Sequence, residues 1–424
     1  MKKKILIISL FTLLTQYTLH SQWIPQSIPV NKPIIGIDFA DENTGWAISY
    51  DNVTSDTAYI LGTTNGGTNW SVQFRGDIGL YCMDAIDKNI CYAGGADTNG
   101  FSVFLKTTNG GINWESMNVS ALLIMTDMFF LNKDTGYACD EFFGGLRLTT
   151  DGGTSWLQRQ NGLTVDPRTL FFLNYDTGYC GGGFKLFKTI NAGVYWDFSY
   201  DFSIFNSNAP LSIQFIDNEI GFVSLNNNAV GITSNSGLSW QISNPSTINL
   251  GAVLDIHFVN ESIGWVGSQS VGYIFKSSNS GYNWITQIDS SGSRTIYMTD
   301  TSLGWSGNRG ISKTTNGGLT FIIAVNNEST NSFKLYQNYP NPFNPATKIR
   351  FIITEHSDVT FGVYDILGKE IFNWKSDQSL QAGTYEYEFN GSNLSSGVYI
   401  YKLTAKPSGK NAVYSDTKKM ILLR

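Results

Sequence analysis

One eight-residue segment recurs along the chain and constrains its fold more than any other feature. Its fullest copy is Thr149–Trp156, which reads TTDGGTSW. The Asp can accept hydrogen bonds from nearby backbone N–H groups, and the Thr hydroxyl can bond within the same turn. Gly152 and Gly153 can adopt the positive φ that residues with a Cβ avoid. Trp156 then opens the next strand with a large apolar ring to bury. The segment therefore predicts a tight turn between two strands.

Six further segments repeat this turn. They are 63–70 (TTNGGTNW), 107–114 (TTNGGINW), 189–196 (TINAGVYW), 233–240 (TSNSGLSW), 277–284 (SSNSGYNW) and 314–321 (TTNGGLTF). The final aromatic residue recurs every 37–44 residues, which is typical of a repeat architecture with one supersecondary unit per copy. We assign a structural role in the turns to Asn65, Gly67, Trp70, Asn109, Gly111, Trp114, Asp151, Gly153 and Trp156.

A second motif alternates with the turn: an apolar strand, a short acidic or Asn-rich turn, then Gly and an aromatic residue. Its copies are 37–46 (IDFADENTGW), 127–137 (DMFFLNKDTGY), 170–179 (LFFLNYDTGY), 213–222 (IQFIDNEIGF), 256–265 (IHFVNESIGW), 296–305 (IYMTDTSLGW) and the degenerate 83–92 (MDAIDKNICY). In the degenerate copy Cys91 takes the place of Gly. Nine of the 11 Trp residues fall in one of the two motifs, so chance matching is a poor explanation.

Each repeat has room for four short strands. In the third repeat we predict strands at 128–131, 136–139, 145–149 and 156–160. Four strands in about 40–45 residues is the size of a propeller blade. The sequence thus predicts an all-β chain whose first domain is a seven-bladed β-propeller. Two segments could supply the strand that closes the ring, Trp23–Gln26 and Phe321–Val325, and the sequence leaves that choice open.

The two ends of the chain differ from the repeats. Residues 1–21 have the basic start, apolar stretch and small final residue of a signal peptide, and no other stretch is long enough to span a membrane. We assign 22–325 to the propeller and the polar segment 326–332 to a linker. Residues 333–424 contain alternating strand-like runs separated by glycines, after the proline-rich segment 339–345. This pattern predicts a small immunoglobulin-like β-sandwich.

The C-terminal segment resembles the type A C-terminal sorting domain of the type IX secretion system. The resemblance rests on 335–351 (LYQNYPNPFNPATKIRF), 363–368 (VYDILG), 394–401 (LSSGVYIY) and 418–424 (KKMILLR). It implies a sorting signal that includes Lys418, Lys419 and Met420, with the type IX secretion machinery as partner. It also implies that the protein reaches the surface of a Bacteroidota-type bacterium, or is secreted from it, through the periplasm.

The repeats are similar to the photosystem II stability and assembly factor family and to Asp-box (BNR) proteins such as sialidases and xyloglucanases. Asp151, Gly153 and Trp156 fit the Asp box, and the other six copies carry Asn at the Asp position. Because the Asp box is a structural turn, this resemblance supports the fold and says little about activity.

The sequence offers little for catalysis or for cofactors. The six arginines of the propeller, including Arg168 and Arg294, do not form a sialidase motif. Neither a metal-binding nor a phosphate-binding motif is present, and no cofactor is predicted. The four cysteines are expected to be small buried residues, although one disulfide could form. They are Cys82, Cys91, Cys139 and Cys180. His257 is expected to be structural. The net charge of −6 gives no reason to expect nucleic acid.

Long loops on one face of the propeller are the best candidates for binding. In this fold the connections from strand two to three, and from strand four to the next blade, share a face. We predict that ligand contacts come from Asp140, Glu141, Phe142, Phe143, Tyr200, Asp201, Phe202 and Phe205. The function expected is an exported binding or scaffold module with a protein or glycan ligand. The alternatives are a glycan-degrading enzyme of the Asp-box class and a periplasmic protein similar to an assembly factor.

Overall fold

The structure is a computed structural model that describes residues 23–423, except 52–54, 118–123, 141–144, 205–208, 246–250, 271, 290, 316, 319–320, 325–331, 345, 376–379, 381, 392–393 and 411. Within these residues the chain is almost entirely β, with one short 3-10 helix, Phe202–Ile204. Within the same residues no helix has the length and hydrophobicity that crossing a membrane requires.

The described residues form seven four-stranded antiparallel sheets before residue 319, one for each predicted blade. A single N-terminal strand, β1, is Ile24–Gln26. Blades 1 and 2 are Ile34–Phe39 (β2), Gly45–Asp51 (β3), Ser55–Thr63 (β4), Ser71–Gly76 (β5), and Ile78–Ala85 (β6), Cys91–Asp97 (β7), Ser102–Thr107 (β8), Glu115–Met117 (β9). Blades 3 and 4 are Met125–Phe130 (β10), Gly136–Asp140 (β11), Leu146–Thr149 (β12), Leu157–Gln158 (β13), and Thr169–Phe172 (β14), Gly178–Gly182 (β15), Lys185–Thr189 (β16), Asp197–Asp201 (β17). Blades 5 and 6 are Pro210–Phe215 (β18), Ile220–Leu225 (β19), Ala229–Ser234 (β20), Gln241–Ser243 (β21), and Val253–Phe258 (β22), Gly264–Ser268 (β23), Tyr273–Ser277 (β24), Ile285–Ile288 (β25). Blade 7 contains Thr295–Met298 (β26), Gly304–Gly307 (β27) and Ile311–Thr314 (β28).

The N-terminal strand closes the ring. β1 pairs antiparallel with β28, so that blade 7 has the order β1-β28-β27-β26. Trp23, immediately before β1, is fully buried, and its indole N–H donates to Gln287 Oε1 at 2.9 Å. The other candidate strand, Phe321–Ala324 (β29), instead pairs with a strand of the C-terminal unit. One compact unit ends at Leu319 and the other begins at Thr320, which corrects the predicted propeller boundary at Val325.

Aromatic rings hold neighbouring blades together. The second strand of one blade presents a ring that stacks on a ring from the first strand of the next blade. Five such stacks have centroid separations of 3.5–3.9 Å: Tyr92–Phe130, Tyr137–Phe172, Tyr179–Phe215, Phe222–Phe258 and Trp305–Phe39. These are the aromatic residues of the second motif, which therefore form the core between blades.

The C-terminal unit consists of two further four-stranded sheets in the described residues. One has the order β29-β34-β31-β30 and the other β33-β32-β35-β36. The strands are Lys334–Leu335 (β30), Ala346–Ile353 (β31), Ser357–Tyr364 (β32), Glu370–Lys375 (β33), Gly383–Asn390 (β34), Gly397–Pro407 (β35) and Tyr414–Leu422 (β36). Rings from the two sheets meet, for example Phe361 and Tyr387 at 5.2 Å, so the sheets pack as a sandwich. This confirms the predicted fold class.

Two of the predicted segments fall on residues that the structure leaves undescribed. The signal peptide, residues 1–21, lies outside the described residues. So do all but one residue of the predicted linker, 326–332.

Candidate functional site

The innermost strands of all seven blades begin around one cavity on the propeller axis. Its volume is about 370 Å³, within the range of roughly 300–1,000 Å³ typical of ligand pockets. Each innermost strand follows the connection from the fourth strand of the preceding blade. Because the cavity is lined by the beginnings of these strands, it lies on the face of the propeller that carries the connections between blades. Each blade contributes one or more residues at the same level, including Gly36, Cys82, Asp127, Thr169, Ser212, Asp255 and Thr295.

Two arginines lie at the rim of this cavity. Arg168 precedes β14 in blade 4, and Arg294 precedes β26 in blade 7. Both side chains are exposed. Within the described residues the Arg294 guanidinium has no ion pair or side-chain hydrogen bond, and desolvation by the surrounding protein lowers its pKa. An arginine remains cationic at such a site, so the rim can attract a carboxylate or another anion.

Two carboxylates line the same cavity, and their oxygens accept hydrogen bonds from backbone N–H groups. Asp127 accepts hydrogen bonds from Met128 N at 2.9 Å and from Leu170 N, in the next blade, at 2.9 Å. Asp255 accepts from Ile256 N and Ile296 N, both at 2.9 Å. Burial raises the pKa of Asp127 to about 7 and also raises the pKa of Asp255. These carboxylates thus connect neighbouring blades.

The same link recurs further along the axis. Asp38 accepts a hydrogen bond from Ala85 N at 2.7 Å, and Asp84 accepts one from Phe130 N at 2.5 Å. Burial raises the pKa of Asp38 to about 7; for Asp84, burial together with the nearby Asp38 carboxylate raises the pKa well above its usual value. In blade 5, Gln214 replaces the carboxylate and bonds both the N–H and the carbonyl of Phe258.

His257 occupies this inner level in blade 6. Its ring lies 5.0 Å from the ring of Tyr297 in an edge-to-face contact. Burial lowers the pKa of His257 to about 4, so the imidazole is neutral near pH 7. The Tyr297 hydroxyl donates to Phe39 O at 2.7 Å across the junction of blades 7 and 1. His257 therefore packs between blades, in keeping with the structural role expected for it.

The charged groups around the cavity fall into two sets. The cationic groups are exposed at the rim, whereas the carboxylates are committed to backbone N–H groups. No cluster of three or more His, Cys, Asp or Glu residues that could hold a metal ion occurs among the described residues. All four cysteines are buried and free, and burial raises the pKa of each thiol well above its usual value.

Two residues of the predicted loop site need correction. Phe202 is fully buried in the core of blade 5, 5.5 Å from the ring of Trp240, and Asp140 is only 3% exposed. Tyr200 is half-buried and packs edge-on against Phe202 at 5.1 Å, and Asp201 caps the N–H of Ser203 at 2.8 Å. Four of the predicted contact residues, Glu141, Phe142, Phe143 and Phe205, lie outside the described residues. Phe202 covers the core because the connection from β17 folds back as a 3-10 turn.

The repeat turns have the hydrogen bonds that their sequence suggests. In the fullest copy Thr149 Oγ1 donates to Asp151 Oδ1 and accepts from Gly153 N, both at 2.8 Å. Ser155 N donates to the same Asp151 oxygen at 2.8 Å. Gly152 and Gly153 have φ of 68° and 90°. The copies at Asn65 and Asn109 repeat these bonds, so these residues fix the turns.

Sequence reasoning missed the two arginines at the rim as a pair. Both are followed by Thr, an aliphatic residue and an aromatic residue, in RTLF and RTIY. Aligning the repeats on their first strand would have shown that the two arginines share one level of the ring.

Two family models match the chain. Residues 107–346, more than half of the chain, match the photosynthesis system II assembly factor YCF48 family. Residues 337–421 match the secretion system C-terminal sorting domain. No curated protein matches the chain.

Solved structures share the fold at low sequence identity. YCF48 bound to D1 peptide is 16% identical with a TM-score of 0.56, over 70% of this chain and 96% of that one. YCF48 from Cyanidioschyzon merolae is 16% identical with a TM-score of 0.55, over 69% and 98%. PorZ, an essential surface component of the type-IX secretion system of Porphyromonas gingivalis, is 15% identical with a TM-score of 0.50, over 94% of this chain and 60% of that one.

The sorting domain places the protein at the bacterial surface or in the medium, as predicted, after export through the type IX secretion system. The repeat motifs, the seven-bladed ring and the match over residues 107–346 lead to one conclusion: the chain belongs to the photosynthesis system II assembly factor YCF48 family and carries a secretion system C-terminal sorting domain.

Proposed function

We propose that the protein is an exported binding module whose propeller holds an extended, acidic segment of a partner protein at the mouth of the axial cavity. The observation that carries this proposal is the pair of exposed arginines, Arg168 and Arg294, above a cavity of about 370 Å³. Guanidinium groups bind carboxylates with paired hydrogen bonds, and a concave site concentrates their field. The propeller of YCF48, which has the same fold, has been solved bound to a peptide.

A binding role is also supported by the state of the inner carboxylates. A glycan-degrading enzyme needs two carboxyl groups that are free to reach the substrate. Although the pKa of Asp127 is raised to about 7, both of its oxygens accept backbone N–H groups, and the same is true of Asp255. We therefore propose a role without catalysis, in which the carboxylates join the blades and the arginines meet the ligand.

A displayed library of random peptides tests the proposal. The full-length protein is compared with Arg168→Gln/Arg294→Gln and with the control Arg75→Gln, which removes an exposed arginine from an outer strand of blade 1. We expect the wild type and the control to enrich peptides rich in Asp and Glu, with retention that weakens as salt is raised. The double variant should enrich none. Equal enrichment of acidic peptides by all three proteins would contradict a site at the rim.

A further inference from the structure

Two sorting-domain segments that are about eighty residues apart in sequence form one structural unit. The segment around the proline-rich motif lies along the outer edge of β36, the last strand of its sheet. Phe343 N donates to Ile421 O at 2.9 Å, and Leu423 N donates to Phe343 O at 3.0 Å. Asn341 Oδ1 accepts from Ile421 N at 2.9 Å, and Gln337 Nε2 donates to Lys419 O at 2.7 Å.

These bonds use the polar backbone groups that an edge strand normally leaves open. Between residues 419 and 423, the outward groups of β36 are bound by the proline-rich segment. A partner cannot extend this sheet by adding a strand there, which is a common way to recognise an exposed edge. Recognition at this edge must therefore rely on side chains.

The side chains that remain exposed are unusual for a small domain. Tyr339 is 81% exposed and Leu423 is 53% exposed. Pro342 and Lys419, which belong to the same two segments, are also exposed. The Tyr339 backbone is fixed by paired hydrogen bonds with Lys348 at 2.9 and 3.0 Å, so its ring is presented from a rigid segment. Rigid, exposed aromatic and aliphatic side chains are typical anchors of protein interfaces.

We propose that Tyr339, Pro342, Lys419 and Leu423 form a single docking surface, here called the tail patch, for a protein of the export machinery. The partner's surface would offer an apolar pocket for Tyr339 and Leu423 and carboxylates opposite Lys419. The opposite charge follows from Lys419, which is exposed and has no ion pair among the described residues. The sorting signal is then a folded surface built from both segments rather than a linear C-terminal sequence.

Export of the full-length protein by a host with a type IX secretion system tests the tail patch. The test variant is Tyr339→Ser/Leu423→Ser. The matched control is Val413→Ser/Tyr414→Ser, which removes an aliphatic and an aromatic residue that are 56% and 40% exposed near the start of β36. We expect the test variant to accumulate in the periplasm, with surface and medium levels reduced about tenfold, as a loss of about 1.4 kcal/mol of binding free energy gives. The control and the conservative Tyr339→Phe/Leu423→Ile should be exported normally.

A second measurement guards against a folding defect. A photo-crosslinking phenylalanine analogue at position 339 changes the side chain little, and the same analogue at 414 serves as its control. We expect a crosslinked export protein from position 339 and none from 414. Normal export of the test variant overturns the proposal. Absence of a crosslink at 339, or an equal crosslink at 414, does so as well.

Discussion

At the repeat turns, one side-chain oxygen accepts two hydrogen bonds, and this explains which residues the turn tolerates. In the copy at Asn65, Oδ1 accepts from the Thr63 hydroxyl at 3.0 Å and from Asn69 N at 2.9 Å. Asp151 uses its Oδ1 in the same way. Because only one oxygen is required, an amide serves as well as a carboxylate. The five copies whose Asn is described, at Asn65, Asn109, Asn191, Asn235 and Asn279, are therefore complete turns.

The second glycine of the turn is required for two independent reasons. Gly153 has a φ of 90°, and a Cβ at this position would lie 2.2 Å from the Phe104 ring. We expect Gly153→Ala to lower the free energy of unfolding by about 2–4 kcal/mol, through backbone strain and overpacking together. Chemical denaturation monitored by tryptophan fluorescence measures this change.

Gly100→Ala is the control for the first reason alone, because Gly100 has a φ of 82° and open space around its Cβ position. Gly100→Ala should lower the free energy of unfolding by about 1 kcal/mol. Equal losses in the two variants would show that contact with Phe104 does not matter.

The axial carboxylates give the propeller a characteristic pH dependence. Burial raises the pKa of Asp38 and Asp127 from 3.8 to about 7 and raises the pKa of Asp84 and Asp255. A group whose pKa is higher in the folded state stabilises the fold at low pH, and this stability is lost as pH rises through the folded pKa. His257, with its pKa lowered to about 4, acts in the opposite direction below pH 6.5.

Four carboxylates outweigh one histidine, so we expect the melting temperature to fall between pH 5 and pH 7.5. Calorimetry across this range measures the change, and Asp127→Asn should reduce its slope. A melting temperature that rises steadily over the same range would contradict the raised pKa values.

At the scale of single strands, the Gly of the second motif makes room for the aromatic ring that stacks on the preceding blade. In blade 3, Gly136 lies directly opposite Phe130, and a Cβ on Gly136 would be 2.4 Å from that ring. Phe130 in turn stacks on Tyr92 of blade 2 at 3.9 Å. The degenerate copy shows the complementary case: Cys91 faces Ala85 across the strands, so a larger residue is accepted where the ring is missing.

This pairing predicts strong coupling between the two positions. Gly136→Ala alone should lower the free energy of unfolding by about 1–3 kcal/mol through overpacking. Phe130→Ala alone should lower it by about 3–5 kcal/mol. The double variant should cost less than their sum by about 1 kcal/mol or more, because the added methyl then enters the space left by the ring. Equilibrium unfolding of the four proteins completes the cycle. Additive losses would refute the steric explanation of the motif.

At the scale of the whole molecule, the ring is closed by the first described strand. In several other blades the Trp of the repeat turn packs against the second Gly of that turn. In blade 7 this place is taken by Trp23: a Cβ added to Gly318 would lie 2.5 Å from the Trp23 indole nitrogen. The turn at Gly318 is formed, with its N–H donating to Thr314 Oγ1 at 2.8 Å. The repeat turn of blade 7 therefore comes from the last repeat, whereas the outer strand of this blade, β1, comes from the N-terminal end of the propeller.

Loss of the closing ring should therefore destabilise the whole propeller. We expect Trp23→Ala to lower the free energy of unfolding by about 3–5 kcal/mol, as for other buried aromatic residues. Ile24→Ser, one residue later and 53% exposed, is the control and should change it by less than about 0.5 kcal/mol. Denaturant unfolding of both variants decides this, and a nearly neutral Trp23→Ala would mean that the closure does not depend on the indole.

The last strand also shows what a terminal deletion would do. Met420 and Leu422 are fully buried in the sandwich, and β36 pairs with β35 along nine residues. Removing 418–424 would therefore take away part of the proposed tail patch and part of the core. Substitutions of the exposed tail-patch residues test recognition without removing core residues, whereas the deletion changes recognition and the core together.

The sequence by itself determined the number of blades, the turns and the class of the C-terminal domain, because these depend on local patterns: a turn with fixed residues, a Gly opposite a ring, and alternation along a strand. Tertiary structure decided which segment closes the ring, because Trp23–Gln26 and Phe321–Ala324 carry similar local signals and only pairing distinguishes them. It also decided that Phe202 is core rather than surface. Finally, it brought Arg168 and Arg294 to one cavity, since residues 126 positions apart meet only when the ring closes.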